Sequence, residues 1–273
     1  MMRGVASNSI SRRAATAITL LLMLTLSHTS RAAELSFVVH PILPPDETLK
    51  AYMPLIKLLQ QATGHSIKFV NNKNLFAHWN ATQREEYDLI LDGPHFTDYR
   101  IQKRQYQVLV KFPSVVSYTL VTHSDLMVFE PKELIAKRIA TTPSPALGAL
   151  WLYKLFPNPL RQPILIATND SVSAAEMLNR VEVDGAMIPT SIVGRYDGFN
   201  SMEATDQVPA PAISASAKLD PETREKIRQT LLELPNSDQG KKILEGLNTE
   251  GFVATSAEEY KGHAELLEGM WGY

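Results

Sequence analysis

The 273-residue chain carries 27 Lys and Arg, 29 Asp and Glu, and no Cys. The missing thiol excludes disulfides, iron–sulfur clusters, cysteine-linked lipid and thiol nucleophiles, so the fold has to be held by a packed core. A formal net charge of −2 argues against nucleic acid or anionic membrane as a partner.

Arg3, Arg12 and Arg13 precede an apolar segment over 14–26, and Ser30-Arg31-Ala32 follows. Basic, apolar and small-residue regions in that order read as a secretory signal peptide over 1–32, cut after Ala32 and directing the chain to the periplasm. The apolar run falls short of the ~20 residues a spanning helix needs. Ser11-Arg12-Arg13 hints at twin-arginine export, but Ala15-Thr16 is too weakly apolar for that motif, which leaves the general secretory route. The cut leaves 241 residues, enough for two lobes or one large domain, with 23 basic against 29 acidic side chains.

A first strand is expected at 35–40 and a helix over 46–63. In that helix Leu49, Tyr52, Met53, Ile56, Leu59 and Ala62 recur at spacings of three and four, and Gly64 supplies the stop. Pro54 should kink the helix or mark its real start. A strand at 67–71, a helix near 75–83, a strand at 88–91, a helix from Pro94 and a strand at 107–112 follow.

The third of these strands carries most of the functional signal. Its apolar run stops at Asp92-Gly93-Pro94, where Gly permits a tight turn and Pro suits the first helical position. In an open α/β sheet ligands sit beyond the carboxyl end of a strand, beside a helix N-terminus. Asp92 and His95 are therefore expected at a cleft.

The same grammar continues with strands at 118–122, 138–142, 164–168 and 186–188, a helical turn at 131–135 and a helix over 145–155. Asn169-Asp170-Ser171 caps a further helix with a stripe of Val172, Ala175, Leu178 and Val181. Alternation of this kind implies parallel pairing and right-handed crossovers. The Pro-rich piece over 208–212 reads equally as a stiff crossover between lobes or as an ordinary surface loop, and the small/apolar alternation at 212–217 as an edge strand. Leu219-Asp-Pro-Glu opens a helix carrying Ile227, Leu231 and Leu234; helices at 238–247 and about 257–270 close the chain.

Four stretches carry a family resemblance: Ala51-Tyr-Met-Pro-Leu55 with Leu59 and Gly64; Asp88 to Pro94; Pro131-Lys-Glu-Leu134 with Lys137-Arg-Ile-Ala140; and Asp220-Pro-Glu222 with Gly240, Leu244, Phe252 and Tyr260. Together they resemble the phosphate/phosphite/phosphonate substrate-binding proteins of ABC transporters, over nearly the whole chain after the leader. The resemblance implies a two-lobed α/β type 2 periplasmic binding fold, each lobe a mostly parallel sheet flanked by helices. It divides the chain into residues 33–115 plus 210–273 for one lobe and 116–209 for the other, with hinge segments near 113–118 and 208–212. It also implies capture of a small molecule by hinge closure, a membrane permease or sensor protein as partner, a monomer, and no cofactor.

The departures from that family bear on the ligand. Its Ser-Thr-Ser-Gly turn, which holds the phosphonate or phosphate, falls on Pro145-Ala146-Leu147-Gly148, so all three hydroxyls are gone. Its Tyr after the Gly-Pro strand falls near Thr97, and its second-lobe His at Asn169. Each lost charge-assisted bond removes about 1.5–3 kcal/mol, so the fold and binding role carry over and the phosphonate does not. The strand ends offer other groups: His40, Asn71 and Asn72, Asp92 and His95 from the first lobe; Thr142, Ser144, Asn169, Asp170, Pro189 and Thr190 from the second; and Tyr118 beside the hinge. With no Arg or Lys among them, the set suits a polar organic molecule or a cation. Asn169-Asp170 can equally be a helix cap and Asn71-Asn72 a turn.

No nucleophile elbow, P-loop, dinucleotide fingerprint or H-E-x-x-H helix occurs, and the adjacent pairs Glu85-Glu86 and Glu258-Glu259 read as surface charge, so no enzyme is expected. The tryptophans Trp79, Trp151 and Trp271 read as packing residues. The alternative is metal capture, with His40, Asp92 and His95 supplying imidazole and carboxylate to a divalent ion.

Overall fold

The computed structural model describes residues 33–41, 45–84 and 86–270. The expected signal peptide, Glu85 and Trp271 lie outside them. Contacts divide the chain after residue 33, and the unit that begins at Glu34 carries the fold.

The first half alternates strands and helices as its periodicity requires. They are β1 (Glu34–Val39), α1 (Pro45–Thr63), β2 (Ser66–Asn71), α2 (Leu75–Arg84), β3 (Leu89–Asp92), α3 (Pro94–Arg104) and β4 (Gln107–Lys111). Helix α1 buries Tyr52, Leu55, Ile56 and Leu59 and ends at Gly64, whose φ of +75° suits a residue without a side chain. Pro54 does not break it. Pro54 and Lys50, whose carbonyl loses its partner, both face solvent, where water can take the place of the missing bond.

Two short strands, β5 (Val115–Val116) and, much later, β11 (Val208–Pro209), lie where the chain leaves and rejoins the first sheet. Between them come β6 (Tyr118–His123), a 3₁₀ turn at Pro131–Leu134, β7 (Arg138–Thr141), α4 (Leu147–Leu155), β8 (Ile164–Ala167), α5 (Ser171–Asn179), β9 (Gly185–Pro189), α6 (Thr190–Val193) and β10 (Phe199–Ala204). The chain closes with β12 (Ala212–Ala215), α7 (Pro221–Leu232), α8 (Asp238–Gly246), β13 (Val253–Ala254) and 3₁₀ turns at Ala257–Tyr260 and His263–Leu267.

These strands form two large sheets, β13-β4-β12-β3-β1-β2 and β10-β6-β9-β7-β8, with β5 and β11 paired antiparallel as a ribbon between them. Each sheet has a parallel core, β2-β1-β3 in one and β8-β7-β9 in the other, extended by antiparallel strands. Strand β12, expected at an edge, lies inside the first sheet, antiparallel to both β3 and β4. Its four residues are all buried; small side chains alternate identically whether a strand ends a sheet or sits within it. The expected C-terminal helix divides into its two 3₁₀ turns at Gly262, which has φ +89°. Val172 and Val181 of the expected stripe are exposed, and Ala174, Ala175 and Leu178 are the residues that pack.

One core joins β1, β3, β12, α1, α7 and α8 through residues such as Phe37, Ile56, Leu91, Ile213, Ile227 and Leu244. Two more cover the faces of the second sheet, around Leu120 with Trp151 and around Ala175 with Ile188. A fourth crosses from one sheet to the other. In it Leu75, Trp79, Phe96 and Tyr99 of α2 and α3 meet Leu150 of the second sheet's α4 and Ala146 just ahead of that helix, together with Ala264 and Leu267.

Candidate functional site

A cavity of about 920 Å³ opens where the carboxyl ends of the strands of both sheets meet the crossing ribbon. The first sheet contributes His40-Pro41 after β1 and the Gly93-Pro94-His95 turn after β3. The ribbon contributes Ser114 to Tyr118, Gln207 and Pro211. The second sheet contributes Thr142, the start of α4 at Ala146-Leu147, Asn169 to Ser173 and Pro189 to Ile192. Among the described residues on this wall there is no Lys or Arg, and the carboxylates are Glu47 and Asp170.

Local chemistry explains the shape of this wall. Asp170 caps α5, its carboxylate accepting from the Ser173 N–H at 2.7 Å and the Ser173 hydroxyl at 3.0 Å. At the start of α4 the N-cap is Ala146, which offers no side-chain acceptor. Gly148 is needed for close packing, since a Cβ there would lie 2.9 Å from Thr141 Oγ1 and 3.1 Å from the Tyr118 ring. Tyr118 itself packs on Trp151 with ring centres 5.3 Å apart, and burial pushes its phenol up to about 12.

Of the residues picked out by strand-end position or by the family resemblance, His40, His95, Tyr118, Thr142, Asn169, Asp170 and Pro189 line this cavity, as does Thr190. Asn72, Asp92, Thr97 and Ser144 do not. Thr97 is fully buried in the first turn of α3 and donates to the Asp92 carbonyl at 3.2 Å. The Ser144 hydroxyl donates to Met270 Sδ at 3.1 Å, and the Asn71 amide to the Pro45 carbonyl at 2.6 Å.

Asp92 sits beneath the wall in a closed network. Arg100 Nε donates to its Oδ2 at 2.8 Å, and His78 Nε2 lies 2.7 Å from its Oδ1. The guanidinium also donates to the Thr82 hydroxyl at 2.5 Å and the Thr82 carbonyl at 3.3 Å, pinning α3 to α2. Burial pushes the Asp92 carboxyl up, but Arg100 and His78 together hold it well below the usual carboxylate range. The Asn72 amide nitrogen donates to His78 Nδ1 at 3.3 Å, so the His78 proton is on Nε2 and points at Asp92.

His95 reaches across to the second sheet's chain, donating from Nε2 to the Pro145 carbonyl at 3.0 Å. Burial lowers His95 to about 4 and His40 to about 3, the latter helped by neighbouring His78 against the pull of Asp92, so both rings are neutral at physiological pH. Neither His40 Nδ1 nor His95 Nδ1 has a hydrogen-bond partner.

Sequence reasoning missed His78 and Arg100. Both lie on helix faces whose inward direction is set only when α2 and α3 pack around the end of β3. For the metal reading this changes the donor set, because His78 stands with His40 and Asp92 while His95 turns to Pro145.

A family model described as "ABC transporter, phosphonate, periplasmic substrate-binding protein" matches residues 37–260. The chain belongs to this family. It is a substrate-binding component and not an enzyme. Among solved structures, this binding protein is similar to PhnD1 from Prochlorococcus marinus in complex with methylphosphonate, with TM-score 0.72, 14% identity, and 86% of this chain and 97% of that chain covered. XAC2383 from Xanthomonas citri bound to ATP gives TM-score 0.70 at 12% identity, covering 85% of this chain and 95% of the other. A binding protein component of an ABC phosphonate transporter from Pseudomonas aeruginosa gives 0.70 at 13%, covering 86% and 85%. At these identities the likeness is one of fold. A search of curated protein sequences finds no match.

Proposed function

We propose that this binding protein is an exported, monomeric receptor that closes on a polar organic solute or organic cation and presents the closed form to a membrane permease or sensor. Residues 33–115 with 210–273 form one lobe in this reading, residues 116–209 form the other, and the paired β5–β11 ribbon is the hinge. The ligand contacts are His40, His95, Tyr118, Thr142, Asn169, Asp170 and Pro189. Export rests on the leader at 1–32, and among the described residues no helix is long and apolar enough to cross a membrane.

The observation that carries the ligand class is the wall itself. Among its described residues it has two carboxylates, no Lys or Arg, and Ala146-Leu147 where the family's hydroxyl turn would stand. A multiply charged oxyanion would exchange its hydration for too few charge-assisted bonds to bind tightly. Calorimetry with phosphate, phosphite and methylphosphonate tests this: millimolar or weaker binding is expected, and micromolar affinity for any of them overturns the ligand class. Small-angle scattering with a solute found by thermal-shift screening should show compaction, and unchanged dimensions with a bound solute would remove hinge closure.

A further inference from the structure

Below the cavity floor, three side chains from three elements turn toward one point. His40 follows β1, His78 lies on α2, and Asp92 ends β3; one donor atom from each lies within 4.8 Å of the others. Two of the three are held from behind. Asp92 Oδ2 is fixed by Arg100, leaving Oδ1 toward the histidines, and His78 Nδ1 is held by Asn72. Phe96 packs against both imidazoles, its ring centre 5.9 Å from that of His40 and 6.2 Å from that of His78.

A purely structural network accounts for Arg100, Asp92 and His78, which satisfy one another. It leaves His40 unexplained. His40 Nδ1 is buried without a hydrogen bond and stands 4.0 Å from Asp92 Oδ1, too far to donate to it. A buried ring nitrogen that makes no protein hydrogen bond beside a carboxylate is a cost to the fold unless a ligand satisfies it.

We infer that His40 Nδ1, His78 Nε2 and Asp92 Oδ1 form a binding site for a divalent transition-metal ion of the zinc type. Donors at about 2.0–2.1 Å from a tetrahedral ion lie about 3.3 Å apart. The 4.0 Å gap has to close by about 0.7 Å and the 2.7 Å contact has to open by about 0.6 Å to reach that spacing. His78 passes to its Nδ1–H tautomer as the ion takes Nε2, and Asn72 turns its amide to offer oxygen instead of nitrogen, so no net proton is lost. Arg100 and Asn72 then serve as the outer partners that orient carboxylate and imidazole. Two imidazoles and one carboxylate leave a fourth position. His40 is also part of the cavity wall, so water or a solute donor atom can reach the ion from that side and offset its charge. The site needs no particular organic ligand, and its failure would leave the proposed solute class untouched.

The test uses the leaderless protein without a histidine tag, stripped with chelator and dialysed. Zn²⁺ titration by calorimetry should give one strong equivalent and a rise in melting temperature. Co²⁺ should give visible absorption bands of tetrahedral intensity. His40→Ala removes the one member that makes no side-chain hydrogen bond here; it should leave metal-free melting little changed and weaken Zn²⁺ binding at least tenfold. His78→Gln should abolish the Co²⁺ bands. Absence of stoichiometric binding by Zn²⁺, Co²⁺, Ni²⁺ and Cu²⁺ would overturn the inference. Equal affinity in His40→Ala would overturn it too, by placing the ion at another histidine.

Discussion

The Nε2–H of His95 donates to the carbonyl of Pro145 at 3.0 Å, joining the first turn of α3 to the residue just ahead of α4. The two positions are 50 residues apart and follow strands of different sheets, β3 and β7. Around this bond Phe96 and Trp79 stack with ring centres 5.2 Å apart, and Ala146 and Leu150 close over them. His95→Ala leaves the buried carbonyl without its donor, at a cost of about 1–3 kcal/mol. Thermal unfolding should show the loss, His95→Gln should recover part of it through its amide, and equal melting of all three proteins would mean that the bond contributes nothing.

Asp92→Asn distinguishes a structural carboxylate from a ligand contact. The substitution leaves the Arg100 guanidinium, which is 1% exposed, without its counter-charge. Breaking one side of a buried pair costs about 3–5 kcal/mol. Urea denaturation should therefore report a large loss of stability. A variant with unchanged stability and only weakened solute binding would put Asp92 in direct contact with ligand.

Ala146→Ser places a hydroxyl at the N-cap of α4, where no side-chain acceptor stands now. A Ser in place of Ala at such a position is worth about 0.5–2 kcal/mol, so a higher melting temperature is expected. The same hydroxyl restores one donor toward the cavity, and methylphosphonate affinity should rise from its wild-type level. A more stable protein with no gain in methylphosphonate binding would detach the missing hydroxyls from ligand choice.

Much of this fold was legible from local pattern. The strand–helix alternation, the Gly93-Pro94 stop and the Asp170 and Asp220 caps are short-range features, each set by residues within a few positions of one another. The network under the cavity was not. Asp92 looked like a ligand group because it ends a strand, and only the packing of α2 and α3 shows that His78 and Arg100 already occupy it. Nor could the place of β12 be read, because Ala212, Ile213 and Ser214 carry the same alternation at the edge of a sheet and inside one.

Asp220 offers a pH test far from the cavity. Its carboxylate accepts from the Thr223 N–H at 2.8 Å at the start of α7, and that bond holds its pKa below the ordinary value. A folded-state pKa lowered in this way means the contribution is full above the unfolded pKa and is lost as pH falls through the folded one. Asp220→Ala should cost about 1 kcal/mol at pH 7, and the gap to wild type should narrow below about pH 4. A gap of constant size from pH 7 to pH 3 would contradict a charge-assisted cap.

The interior position of β12 sets an order of assembly. Strands β3 and β4 are separated in sequence only by α3, yet they are not neighbours, because Ala212–Ala215 pairs with both of them. The first half of the polypeptide therefore cannot complete its own sheet, however long it waits on the ribosome. The second sheet draws all its strands from residues 118–204 and can form as soon as those residues are free. The earliest-made segment is thus the last to be finished. Its closure depends on contacts more than 100 residues apart in the chain, which slows folding relative to a sheet built from successive strands. Until residue 215 is available, a nascent chain holds β3 and β4 apart with the place between them unfilled.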